Sequence, residues 1–260
     1  MTTRRPVPSA VTALGARLAE LGWVRDLWVA GSLATGDHLP GVSDLDLVAV
    51  VDGRVDTARI RAVAELHRDL DSGPALGAAL GCAYVEEHRL LDVELRHPTW
   101  THGRLVERPL SQITRAELVR HGFAVFGRPP VALLPPVTGD DVRRAARAEL
   151  AGYWSWAVRR PWVWLDPTLA ELGLTAMARG RHAIATGELM TKSRAVEQAA
   201  APPWLADLIR ARRRGEPRPL PRLRGAWIAW RDASRTVRGA TAGSPTRRSF
   251  LDTRRRGGNA

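Results

Sequence analysis

The sequence predicts an α/β domain, a mixed sheet with flanking helices, over residues 1–130, followed by an all-α helical bundle over 138–240 and a disordered basic tail over 241–260. Three observations predict it. Before residue 130, short apolar runs alternate with stretches of helical period, as strands and helices layered on one sheet do. Two diproline steps, Pro129-Pro130 and Pro135-Pro136, mark a linker. Beyond Thr138 the apolar residues recur at helical spacing nearly to the end.

Taken in order, residues 1–8 are expected to be loose. Ser9 is expected to cap a helix carrying Val11, Leu14, Leu18 and Leu21 on one face, with Gly22 as its stop. Residues 27–30 read as a strand, Gly31-Ser32 as a turn, and a second strand runs out to Val51. Asp56 or Thr57 opens a helix striped by Ile60, Val63, Ala64, Leu66 and Leu70, which Ser72-Gly73-Pro74 ends. Residues 82–85 give a third strand and 91–95 a candidate fourth. Residues 99–103 (TWTHG) read as a loop at the sheet edge, with His97 and His102 as satisfied loop histidines. Thr114 and Glu117 have capping-box spacing for a short helix to His121, and 123–126 is a last strand. In the bundle, helices are expected over 140–158 and 167–186 (stopped by Gly187), after Ser193, after Pro203, and over 220–238.

Composition narrows the function. A single cysteine, Cys82, excludes an intramolecular disulfide and a cysteine-based zinc cluster. No apolar run is long enough to span a membrane, and Arg17 and Glu20 interrupt the only stretch that could follow the amino-terminal arginines as a signal sequence. A cytoplasmic protein without membrane partners is expected. The net charge of +12 invites a nucleic-acid partner. However, the cations are spread over the whole chain, and all but Lys192 of the 39 are arginine. That bias reads as a solvated basic surface that also favours a polyanionic nucleotide. The ten tryptophans against two tyrosines read as core packing.

The chemistry concentrates between Leu27 and Val51. Asp44 and Asp46 sit two apart, so in a strand both project from one face, roughly 6–7 Å apart. Paired carboxylates flanked by Leu45, Leu47 and Val48 repel each other and resist desolvation, an arrangement that a divalent cation between them relieves. Hard oxygen ligands at that separation suit Mg²⁺, which keeps part of its water shell and bridges to phosphates. Gly31 and Ser32 supply an unobstructed backbone, exposed N–H groups and a hydroxyl, which a triphosphate requires.

An apolar-Gly-Ser segment followed twelve residues after the serine by Asp-Leu-Asp-Leu resembles the signature of the nucleotidyltransferase superfamily related to DNA polymerase β. The α/β half followed by a helical half resembles its bacterial aminoglycoside adenylyltransferases, the antibiotic-resistance enzymes that modify streptomycin and spectinomycin. Ala178-Arg179, Thr186-Gly187-Glu188 and Thr191-Lys192-Ser193 are similar to that family's second motif. The resemblance implies Mg²⁺ on Asp44 and Asp46, ATP as co-substrate on Gly31, Ser32, Arg179 and Lys192, and a small-molecule hydroxyl as acceptor. It further implies a third carboxylate on a neighbouring strand, acting as general base. Gly81-Cys82-Ala83-Tyr84-Val85 holds no acid, which leaves Glu94, with Glu86 or Asp92 as alternatives. Trp162, Trp164, Asp166 and Glu171, ahead of Arg179, are the candidate wall for a cationic acceptor. Two other readings compete: a nucleotidyltransferase acting on RNA or protein, and a catalytically impaired homologue that keeps a ligand site. The absence of an aromatic-basic strand platform speaks against RNA, and the missing strand acid supports the impaired homologue.

Overall fold

The computed structural model of the chain describes residues 7–242; the expectations for residues 1–6 and for the tail beyond 242 fall outside them. The N-terminal half is a mixed sheet with helices, and the C-terminal half is helical, as the sequence predicts. The sheet has six strands in the order β5-β4-β3-β2-β1-β6. These are β1 (Val24–Val29), β2 (Leu45–Val51), β3 (Leu80–Glu86), β4 (Arg96–Thr101), β5 (Arg104–Pro109) and β6 (Phe123–Phe126). Only β2 and β3 run parallel, joined by helix α3 (Thr57–Asp71); the other neighbours are antiparallel.

Strand alternation sorts the side chains between two faces. Leu45, Leu47, Ala49 and Val51 of β2 join Leu27 and Val29 of β1 beneath α1 (Ser9–Glu20) and α3. Val48 and Val50 join Trp28 and Ala30 on the other face, with Leu118 of α4 (Gln112–His121). The helical half comprises α5 (Gly139–Glu149), α6 (Ser155–Val158), α7 (Pro167–Thr186), α8 (Lys192–Glu197), α9 (Pro203–Arg213) and α10 (Arg222–Ala242). Its core gathers Trp154, Trp164, Leu174, Met177, Leu205 and Ile209. Ala116 of α4 packs with Val142, Ala146 and Ala183, so α4 is also the joint between the halves.

Several local expectations change. Ser9 lies inside α1, whose N-cap is Pro8, so its hydroxyl caps nothing. The cap of α4 is Ser111, whose oxygen accepts from Thr114 N–H, and Glu117 is thereby released from the expected capping box. Residues 91–95 form no strand. Asp92 Oδ1 accepts from the N–H groups of Glu94 and Leu95, turning the chain before β4 begins at Arg96. Thr99–Thr101 therefore belong to β4, with His102-Gly103 as the tip of the β4–β5 hairpin. The helix expected over 140–158 is broken by a π-turn over Leu150–Trp154 at Gly152, whose ψ of −107° is non-helical.

Candidate active site

The parity of β2 places Asp46 on the face that α4 covers. Ala30 N–H donates to the Asp46 carbonyl at 2.8 Å and draws the start of the short helix α2 (Gly31–Thr35) across the carboxylate. Gly31 has φ +58°, and a Cβ there would sit 2.1 Å from Asp46 Oδ2, so a residue without a side chain is what lets the two segments meet. The opening beyond is a cleft lined by Gly31, Asp46, Gly81, Thr101, Arg108 and Glu117. Asp44, just before β2, shares a second hollow with Asp46, Gly81, Thr101 and His102. The Ser32 hydroxyl, in the first turn of α2, makes no hydrogen bond among the described residues, while its carbonyl accepts from Asp37 N–H at 2.8 Å.

The Asp46 carboxylate makes no hydrogen bond among the described residues. It opens onto the cleft but is closely surrounded by protein on its other sides. That burial, first, holds its pKa above the ordinary carboxylate value. Lys192 pulls it down, Asp44 and Glu117 push it further up, and Arg179 pulls it down again. These five groups therefore share one electrostatic neighbourhood, although Arg179 and Lys192 belong to the helical half.

Each cation is held from its own side. Arg179, on α7, donates from Nε to Met190 O at 2.9 Å and from Nη2 to Glu117 Oε1 at 2.5 Å. Lys192 opens α8, capped by Thr191. Asp37, in the loop after α2, accepts from Ser193 N–H at 3.0 Å and from Arg213 at 3.1 Å. The loop beside the Gly-Ser segment is thus tied to the residue that follows Lys192.

Glu94, Glu86 and Asp92 do not reach the cleft. Glu86 pairs in register with Val51, five residues along β3 from the Gly81–Asp46 pair, or about 17 Å. It also has the opposite parity, and its Oε1 accepts from Val55 N–H. Asp92 is spent on the turn before β4. Glu94 lies within that turn, where no strand geometry aims it at Asp46. The expected acceptor wall lies apart from this cleft, with Trp162 exposed on the helical half. Trp164 is fully buried in the helical core and donates to Ala157 O; Asp166 caps α7 through Thr168 N–H; Glu171 pairs with Arg212. None of the three lines the cleft. Sequence reasoning missed Glu117. Its approach to the cleft depends on how α4 docks, and its own segment carried no signal of it.

A cation fits the donor set. Asp44 and Asp46 present carboxylate oxygens to one hollow, and Asp46 is left without a hydrogen-bond donor. Among the described residues no third acid, histidine or cysteine joins them as a metal-binding cluster. Such a pair leaves coordination positions for water and phosphate oxygen, which suits Mg²⁺.

Residues 13–95 match the model of the nucleotidyltransferase domain family, so that stretch is similar to a nucleotidyltransferase domain. Among solved structures, the chain is similar to the spectinomycin adenyltransferase AAD(9) from Enterococcus faecialis, solved with ATP and spectinomycin. The TM-score is 0.61 at 14% identity, covering 86% of this chain and 98% of that one. At that identity the likeness is one of fold. No curated protein matches the chain. No helix among the described residues is long and apolar enough to cross a membrane.

Proposed function

We propose that this chain transfers a nucleoside monophosphate, AMP from ATP, to a hydroxyl of a small molecule of the aminoglycoside class. The observation that carries the reading is Asp46: a crowded carboxylate without hydrogen bonds, beside Asp44, under Gly31, within electrostatic reach of Arg179 and Lys192. Residues 1–130 and 138–240 act as two units, with the acceptor bound between them, where clefts take small molecules. The backbone at Gly31 and the Ser32 hydroxyl receive the triphosphate, and Arg179 and Lys192 neutralise it from the helical side. Asp44 and Asp46 would hold Mg²⁺, which when bound supplies charge neutralisation for an in-line displacement. The structural neighbour, solved with ATP and spectinomycin, supports the choice of substrates.

The test is pyrophosphate release from ATP with and without Mg²⁺, against spectinomycin, streptomycin and related aminoglycosides. Metal-dependent, acceptor-dependent release supports the reading. No release with any nucleoside triphosphate and any of these acceptors refutes it.

A further inference from the structure

A hydroxyl that attacks phosphorus must give up its proton, and the strands beside Asp46 offer no free carboxylate to take it: in the neighbouring hollow Asp71 accepts from the Trp100 indole N–H, and His102 Nδ1 is bonded to the Thr101 hydroxyl. The residue paired with Asp46 on β3 is Gly81, on the same face, and a Cβ there would have room, its nearest neighbours lying 3.7–3.8 Å away. Next along lies Thr101. Cys82 cannot serve, because burial pushes its thiol up to about 12. Among the titratable side chains lining the cleft, Arg108 is a cation and Asp46 is engaged as the metal-side carboxylate. One carboxylate remains, Glu117, and it comes from a helix.

Glu117 sits on α4, which packs over the face that carries Asp46, and the residue is only 8% exposed. Its Oε1 accepts from Arg179, and its Oε2 takes no hydrogen bond among the described residues. The charged groups around it are Arg179 from α7, Asp46 from β2 and Arg108 from β5. A carboxylate anchored by one oxygen and free at the other is oriented to accept a proton, and Arg179 ties it to the nucleotide side of the cleft.

We propose that Glu117 is the general base of the transfer, delivered across the cleft by α4 to do what the sheet row at Gly81 does not. The acceptor O–H bond breaks and its proton passes to Glu117 Oε2. The acceptor oxygen forms its bond to the α-phosphorus of ATP, the bond from that phosphorus to the bridging oxygen breaks, and pyrophosphate leaves with the electron pair. This inference rests on the transfer reading above.

The discriminating variant is Glu117→Gln, whose amide oxygen can still accept from Arg179 but whose side chain cannot take a proton. With ATP, Mg²⁺ and whichever of spectinomycin or streptomycin the wild type modifies, kcat should fall by about 10²–10⁴-fold while KM for ATP stays within about threefold. Glu117→Asp should recover part of the lost kcat. Retention of kcat within about threefold in Glu117→Gln overturns the inference and leaves the transfer reading intact. A rise in KM for ATP with kcat preserved also overturns it, reducing Glu117 to a positioning residue for Arg179. A wild type that releases no pyrophosphate removes both readings together.

Discussion

Replacing Asp46 by asparagine tests the site through stability and metal binding as well as through turnover. The asparagine keeps the size and shape of the side chain and removes the charge. In the folded protein that charge is unfavourable: burial, Asp44 and Glu117 oppose it more than Lys192 and Arg179 favour it, and the folded pKa lies above the unfolded value of about 3.8. The sign follows from proton linkage. Between the unfolded pKa and the raised folded pKa the native state binds more protons, so stability falls as pH rises through that window and stays low at pH 7. Each unit of such a shift is worth about 1.4 kcal/mol. Because Asp46 is open to solvent on its cleft side, we discount this to a gain of about 0.5–1 kcal/mol for Asp46→Asn at pH 7. For a chain of this size that corresponds to about 1–4 °C in Tm. Differential scanning calorimetry at pH 7 and pH 4 should show the gap between variant and wild type shrinking at the lower pH. Millimolar Mg²⁺ should raise the Tm of the wild type and not that of the variant, and pyrophosphate release should be abolished. A variant less stable than wild type by the same margin at both pH values would refute the reasoning, as would one with unchanged turnover.

Gly31→Ala should destabilise by about 1–3 kcal/mol and remove activity, because it combines positive φ with a Cβ 2.1 Å from Asp46 Oδ2; chemical denaturation and pyrophosphate release read the two effects. Glu94→Gln should keep kcat/KM within about twofold of wild type, since residue 94 lies in a turn outside the cleft. Asp37→Ala should cost about 3 kcal/mol in a urea melt, since Arg213 would lose its carboxylate partner where the Asp37 and Arg213 side chains are 11% and 12% exposed.

Much of the fold was legible because local chemistry and tertiary structure agree. Helix α7 runs from Pro167 to Thr186 between its Asp166 cap and the left-handed Gly187, as its own residues dictate. Asp46 and Gly31 could be read because strand parity and glycine's conformational freedom follow from sequence alone, although Asp44 lies just before β2 and Gly31-Ser32 opens a short helix rather than a turn. Glu117 could not. A helical side chain faces a cleft only by virtue of how its helix docks, and α4 docks through contacts to α2 and α5 far away in sequence. Residues 91–95 misled because LLDVEL alternates like a strand, whereas an aspartate turn and a buried guanidinium claim its polar groups. Trp164 misled because an aromatic beside acids reads equally as a ligand wall or as a core, and the packing of α10 and the π-turn decides between them.

That buried guanidinium belongs to Arg115, two residues before Glu117. It donates to the carbonyl oxygens of Leu90, Leu110 and Asp92, at 3.1, 2.5 and 2.7 Å. Residues 115 and 117 lie roughly 200° apart around a helix, so α4 is bolted on one side to a turn that never meets substrate while its other side looks into the cleft. The aim of Glu117 is thereby set from behind. Rebuilding residues 90–95 would swivel the helix and misdirect the proton's destination without altering a single group inside the cavity.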